Sequence, residues 1–239
     1  ATASTTNAGT AASINANGNT VNLALAGGTV AWTITNSGGA AALTGSALSD
    51  NITGGTAADI ITGSGGSDTI NGGNGADSIV GGAVIDQITG GAGAQTNTGG
   101  SGVDIFIFGA DGSIAGTALD VITDFNTGTG SDIIRLAGTV ALAATNAATA
   151  GLTVTVSAGG VAGFAAADDT YAEQVTALQT DAGTKAAQAV SLFKSGGDSY
   201  VFFAGATVGT GDDQVIKLTG VSGRFFDAIT VNGTDITIS

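Results

Sequence analysis

The chain has 239 residues, enough for one or two domains with a real core, and it is acidic, with 19 Asp and Glu against 5 Lys and Arg and a net charge of −14. It contains no His, Cys, Met or Pro, which excludes His- or Cys-ligated zinc, Ser–His and Cys–His nucleophile pairs, disulfides and the usual haem ligation; the negative charge argues against a basic nucleic-acid surface. With 43% hydrophobic residues it is not a disordered polymer despite 42 glycines, and hard, oxygen-coordinated cations are the natural partner that remains.

No window has the basic start and apolar core of a signal peptide. No run of about 18 apolar residues could span a bilayer, so no membrane insertion is expected. A chain without Met reads as the tail of a larger protein. Its first segment, 1–44, holds "TVNLALAGGTVAWTITNSGGAAALTG", in which Val21, Leu23, Leu25, Val30, Trp32 and Ile34 alternate with polar residues. This predicts strands that extend or cap whatever follows. Trp32 reads as core rather than as a ligand-stacking platform.

From Gly45 to Ile107 the chain falls into seven consecutive nine-residue blocks: GSALSDNIT, GGTAADIIT, GSGGSDTIN, GGNGADSIV, GGAVIDQIT, GGAGAQTNT and GGSGVDIFI. The sixth position is Asp50, Asp59, Asp68, Asp77, Asp86, Gln95 and Asp104; the eighth is Ile52, Ile61, Ile70, Ile79, Ile88, Asn97 and Phe106. Low-complexity sequence does not hold two residue types in fixed phase over so long a stretch. Six Gly-, small- and Asp-rich residues predict a tight turn, because Gly tolerates positive φ, and the last three predict a short strand whose middle residue points inward. Two blocks make one coil of two turns and two strands, with the Ile column as core.

The block resembles the RTX nonapeptide, a calcium-binding β-helix repeat, and the resemblance covers about a quarter of the chain. The fold expected is all-β: a right-handed parallel β-roll (a β-solenoid) over 45–107, flanked by β-rich segments with one short helix. Stacking sets the Asp of each block beside the Asp two blocks on. Parallel strands lie ~4.8 Å apart, where unit charges repel by roughly 3–4 kcal/mol at an effective dielectric of 20. A calcium ion between successive turns reverses that sign and needs six or more oxygens, which two carboxylates and turn carbonyls can supply.

The resemblance implies the ligand sets. One turn gives the carbonyls of its second and fourth positions and its Asp; the turn two blocks later gives those of its first and third and its Asp. One site is then Gly55, Ala57 and Asp59 with Gly72, Asn74 and Asp77, and another Ser64, Gly66 and Asp68 with Gly81, Ala83 and Asp86. Ser46, Leu48 and Asp50 with Gly63, Gly65 and Asp68, and Gly82, Val84 and Asp86 with Gly99, Ser101 and Asp104, carry Leu48 and Val84 where Gly is usual, so altered turns or weaker binding are expected there. The Asp77–Gln95 pair lacks one carboxylate, and block six is expected to hold the weakest calcium site or none.

Segment 108–145 should close the roll. "VDIFIF" is apolar on both faces, and "LDVITDFNTGTGSDIIRL" is the candidate cover for Ile105 and Ile107. It resembles the D-x-I-x-D-F block that closes RTX rolls, with Ile122, Phe125, Ile134 and Leu136 inward. Asp124 and Asp132 are either ligands completing a site with Gly100, Gly102 and Asp104 or ordinary turn formers. In 146–239, "DDTYAEQVTALQTDAG" predicts a helix near 170–180 with Tyr171, Val175 and Leu178 on one face. "AVSLFKSGGDSYVFFAG", "DQVIKLTGV" and "FDAITVNGTDITIS" predict strands with an Asn232-Gly233 turn. Asp198, Asp212 and Asp213 read as solvated loop residues before a cation site. This region resembles the C-terminal part of RTX proteins exported by type I secretion, where an uncleaved C-terminal signal is recognised.

No catalytic motif is present, and the chain is read as noncatalytic. The composition resembles RTX-type bacterial surface-layer (S-layer) proteins. The expected function is a secreted, cell-surface structural module that folds on several Ca2+ ions, with the type I secretion machinery and a self-assembled surface lattice as partners. The alternative is the secretion and folding tail of an RTX exoenzyme or adhesin.

Overall fold

The computed structural model describes residues 12–109, 119–125, 131–136, 141–142, 154–156, 162–164, 174, 178, 189–196, 198–204, 213–219, 229–232 and 235–238. The first strands are β1 (Ala12–Asn15), β2 (Val21–Asn22), β3 (Trp32–Thr35) and β4 (Ala42–Thr44). The repeat supplies β5 (Asn51–Gly55), β6 (Ile60–Ser64), β7 (Thr69–Asn74), β8 (Ser78–Ala83), β9 (Gln87–Ala92), β10 (Thr96–Ser101) and β11 (Ile105–Phe108). After it come β12 (Asp120–Ile122), β13 (Ile133–Leu136), β14 (Ala141–Leu142), β15 (Val154–Val156), β16 (Ala162–Phe164), β17 (Ala189–Ser195), β18 (Asp198–Phe203), β19 (Gln214–Leu218), β20 (Ile229–Asn232) and β21 (Asp235–Ile238).

Odd and even strands of the repeat go to opposite faces of a parallel solenoid, β1-β3-β5-β7-β9-β11-β13 on one and β2-β4-β6-β8-β10-β12 on the other. The cause is the period of the inward residue. Every second block returns it to the same place along the next strand of the same sheet, so Ile34, Ile52, Ile70, Ile88, Phe106 and Ile134 stack in register on one face. Val21, Leu43, Ile61, Ile79, Asn97 and Ile122 stack on the other. The five repeat isoleucines are at most 1% exposed, and each such burial contributes roughly 1.5–3 kcal/mol. Trp32 is buried among them, as core.

The strands are longer than the three residues expected. They run on through the glycine pair, because Gly55 pairs with Gly73, Gly73 with Gly91 and Gly82 with Gly100 across successive coils. The turn proper is therefore confined to positions three to six in blocks two and three and to positions four to six in blocks four to seven. Upstream, β1 to β4 extend the stack, except that Leu25 is 90% exposed: the chain turns after β2, with Ala26 N–H donating to Leu23 O at 2.7 Å, and leaves Leu25 at the tip.

Downstream, Ile122, Phe125, Ile134 and Leu136 are buried as expected. The expected cover for Ile105 and Ile107 is corrected: β12 and β13 do not lie over that face but add one further strand to each sheet, on β10 and β11. The sheets then accept the C-terminal strands. β19 pairs parallel with β12, and β18 and β17 follow antiparallel; β21 pairs antiparallel with β13 and with β20. Arg135 bridges that junction with a forked ion pair to Asp235, at 2.6 and 2.9 Å. Of the helix expected near 170–180 only Gln174 and Leu178 are described, both helical and buried; the rest, and Gly233 of the expected turn, lie outside the described residues. Among the described residues no helix is long and apolar enough to cross a membrane.

Candidate metal centre

Each sixth-position Asp precedes a strand and stands at a coil corner, where its own backbone N–H has no strand partner. The carboxylate of the coil below supplies it. Asp68 Oδ1 accepts from Asp50 N–H at 2.6 Å, Asp77 from Asp59 and Asp86 from Asp68 at 2.8 Å, and Asp104 from Asp86 at 2.9 Å. The ladders begin where the sequence has no Asp, with Trp32 N–H on Asp50 and Ala41 N–H on Asp59. Two vertical carboxylate columns result, one per edge. Asp50, Asp59, Asp68, Asp77, Asp86 and Asp104 are all 2% exposed or less.

The second oxygen is the chemically telling one. Oδ2 of Asp59, Asp68, Asp77 and Asp86 is buried without a hydrogen-bond partner, a costly state for an anionic oxygen. Each points into its own turn, toward the first-position carbonyl of the coil below. A methyl group placed on Gly54 would lie 2.9 Å from Asp59 Oδ2 and 2.5 Å from Gly72 O. One on Gly81 would lie 2.5 Å from Asp86 Oδ2 and 2.7 Å from Gly99 O. On Gly63 it would meet Asp68 Oδ2 and Gly81 O. Only glycine leaves that space open, and the two atoms nearest to it at Gly54, Gly63 and Gly81 are a carboxylate and a carbonyl oxygen. Among the described residues no three carboxylates gather, so a cation here would be held by two carboxylates and turn carbonyls, a donor set that suits calcium.

Electrostatics without a cation oppose the arrangement. Burial pushes the Asp68 carboxyl up from 3.8 to about 7; the Asp50 N–H pulls it back, and the Asp86 and Asp50 charges add to the rise. Burial likewise lifts Asp104 to about 7, against the Asp86 N–H and with the charges of Asp86, Asp132 and Asp124. Asp77 and Asp86 rise to about 6 for the same first cause.

The turns differ in a graded way. Positions two and four are both left-handed in block three (Ser64, φ 89°; Gly66, 87°), block four (Gly73, 96°; Gly75, 119°), block five (Gly82, 126°; Val84, 82°), block six (Gly91, 94°; Gly93, 129°) and block seven (Gly100, 106°; Gly102, 135°). Val84 thus keeps the turn that its side chain disfavours, whereas Leu48 abandons it. Ala57 abandons it too. The Asp59–Asp77 pair therefore has one altered turn, and the Asp50–Asp68 pair has Ser46 and Leu48 both outside the left-handed region.

Of the two carboxylates expected to close the roll, Asp132 joins a column, its Oδ1 accepting from Asp104 N–H at 2.9 Å. Asp124 instead takes the amides of Gly99 and Gly100 at 2.9 and 2.7 Å. Sequence reasoning missed Asp120, which accepts from Gln95 N–H at 2.8 Å and continues the other column. The signal was present, since Asp120-Val121-Ile122-Thr123 repeats the phase of Asp50-Asn51-Ile52-Thr53. Asp198 is paired with Lys217 at 2.7 Å, Asp213 is buried and Asp212 lies outside the described residues.

The family model for the RTX calcium-binding nonapeptide repeat, in four copies, matches residues 44–79 and again 71–106. These residues are RTX calcium-binding repeats, and the solenoid they build is a β-roll. No curated protein matches the chain.

Proposed function

We propose that the RTX calcium-binding repeats of residues 44–106 make this chain the calcium-folded structural part of an exported surface-layer protein. It leaves the cell through type I secretion machinery with the roll open, and outside it folds on several Ca2+ ions and packs into a lattice. The observation that carries the reading is the pair of buried Asp columns in which Oδ2 of Asp59, Asp68, Asp77 and Asp86 has no hydrogen-bond partner. Such columns resist folding until a divalent cation neutralises them, so metal binding and folding are one event. Affinities of about 10⁻⁴ to 10⁻³ M, as in extracellular modules, leave the roll open at low cytosolic calcium and closed outside. The cradles expected from the resemblance would hold the ions, with Asp59 and Asp77, Asp68 and Asp86, and Asp86 and Asp104 as the carboxylate pairs.

The lattice part draws support from where the charge lies. Between residues 12 and 109 the charged residues are the six column aspartates, all buried. The outer faces of the roll present uncharged side chains, as in the row Thr33, Asn51, Thr69 and Gln87 on successive strands. Copies meeting through such faces do not repel one another.

The test is a calcium titration of the chain read by far-ultraviolet circular dichroism and thermal melting, with magnesium as control and Asp77→Ala in parallel. Calcium alone should create cooperative β structure, and the variant should need more of it. An apo chain already folded and indifferent to calcium would sink the folding reading. Electron microscopy with calcium separates ordered sheets from discrete particles, and the latter would remove the lattice.

A further inference from the structure

We infer that two joints between successive coils hold no calcium: Asp50–Asp68, where Ser46 takes the metal's place, and Gln95–Asp120, where the Gln95 amide turns its NH2 rather than an oxygen to the cradle. The inference rests on the calcium-folded reading above and concerns which cradles take part in it. In each joint the upper residue offers Oδ2 to the cradle and the lower one Oδ1, the oxygen that also accepts the N–H above. What decides occupancy is therefore the state of the upper Oδ2.

At Asp50 that oxygen is already satisfied. Ser46 N–H donates to Asp50 Oδ2 at 2.6 Å and Ser46 Oγ donates to it at 2.9 Å, while Oδ1 accepts from Trp32 N–H at 2.7 Å. Three donors around one carboxylate supply the charge-assisted bonds that an ion would otherwise provide. The equivalent Oδ2 atoms of Asp59, Asp68, Asp77 and Asp86 have none.

The backbone explains the difference. Block three also has Ser at its second position, yet Ser64 is left-handed; there the fourth position is Gly66, also left-handed. In block two Gly55 stays left-handed although Ala57 does not, so it is Ser at position two together with Leu48 at position four that lets Ser46 leave the left-handed region and its N–H swing onto Asp50. Gly65 N–H then donates to Ser46 O at 3.2 Å, joining the two coils directly through a carbonyl that the resemblance would assign to the metal.

At the other joint the orientation of Gln95 is fixed from above. Asp77 N–H needs an acceptor, and Gln95 Oε1 accepts it at 2.7 Å. Nε2 is thereby the atom left facing the Gln95–Asp120 cradle, where it is buried without an acceptor. An amide NH2 has two protons and no lone pair to offer a cation. The Asp77–Gln95 joint above keeps Asp77 Oδ2 and loses only one charge. The metal ladder thus ends one joint short at the top of one column and at the bottom of the other.

Native mass spectrometry of the full chain at saturating calcium counts bound ions and tests this directly. Asp50→Asn should leave the count unchanged, whereas Asp86→Asn should lower it by one or two, since Asp86 serves two joints. Gln95→Asp should raise the count by one, and so should Ser46→Gly with Leu48→Gly. An Asp50→Asn chain that loses an ion, or gain variants that take up none, overturns the inference while the calcium reading stands; a native chain that binds no calcium overturns that reading instead. If Asn at 50 prevents folding, the gain variants decide alone.

Discussion

Removing calcium and then adding acid should rebuild the roll, and the direction follows from the buried carboxylates. In the unfolded chain these groups titrate near 3.8; in the metal-free fold burial lifts Asp68 and Asp104 to about 7 and Asp77 and Asp86 to about 6. Between those values the fold binds more protons than the unfolded chain, so stability rises as pH falls. It is fully present below about 4, where both states are protonated, and is lost as pH climbs through 6 to 7. A pKa difference of one corresponds to about 1.4 kcal/mol, so ionising any one of the four in the metal-free fold costs on the order of 3 kcal/mol. Whole domains are stable by about 5–15 kcal/mol, and four such terms are enough to open the roll at pH 8. The assay is circular dichroism and melting in chelator from pH 8 to pH 4.5. Each kcal/mol recovered is worth about 2–4 °C for a chain of this size, so a rise on the order of 10 °C or more is expected. With calcium present the trend reverses, because protons and metal compete for the same Oδ2 atoms and the calcium midpoint climbs as pH falls. Asp68→Asn should stabilise the metal-free roll at pH 8 and flatten its acid response. A metal-free melting temperature that is level or increases from pH 5 to 8 would refute the reasoning.

Ile79→Ala removes a fully buried side chain stacked between Ile61 and Asn97 and should cost about 2–5 kcal/mol, read by denaturant unfolding in calcium. Asn97→Ile should stabilise by about 1–2 kcal/mol in the same assay, because Asn97 Oδ1 is buried without a partner and the place it occupies holds Ile in the equivalent coil above; a loss would mean that the polar group is paired in solution. Val84→Gly relieves a β-branched residue at φ 82° that is 53% exposed. Net of the greater freedom of Gly in the unfolded chain, it should gain up to about 1 kcal/mol.

The nine-residue period made the coil legible, and with it the two carboxylate columns and the buried isoleucines, because each depends only on residue type at a fixed phase. What the period could not carry is anything that leaves it. Asp120 and Asp132 join the columns 25 and 28 residues after Gln95 and Asp104 rather than 18, and the column tolerates those insertions because its ladder bond depends on coil height and not on chain length. The docking of β19 on β12 and of β21 on β13 is a long-range pairing with no local sign beyond alternating apolar residues. Position four shows the limit within the repeat itself. Leu48, Ala57 and Val84 break the same glycine rule, yet only Val84 keeps the left-handed turn, since it lies between coils that both hold it: Gly66 above, and Gly102 packed against Val84 O below. Leu48 heads its column and has no such turn above to impose the shape. A single block therefore does not fix its own conformation; its neighbours do, and metal affinity should be strongest in mid-roll for that reason, where turns on both sides enforce the cradle.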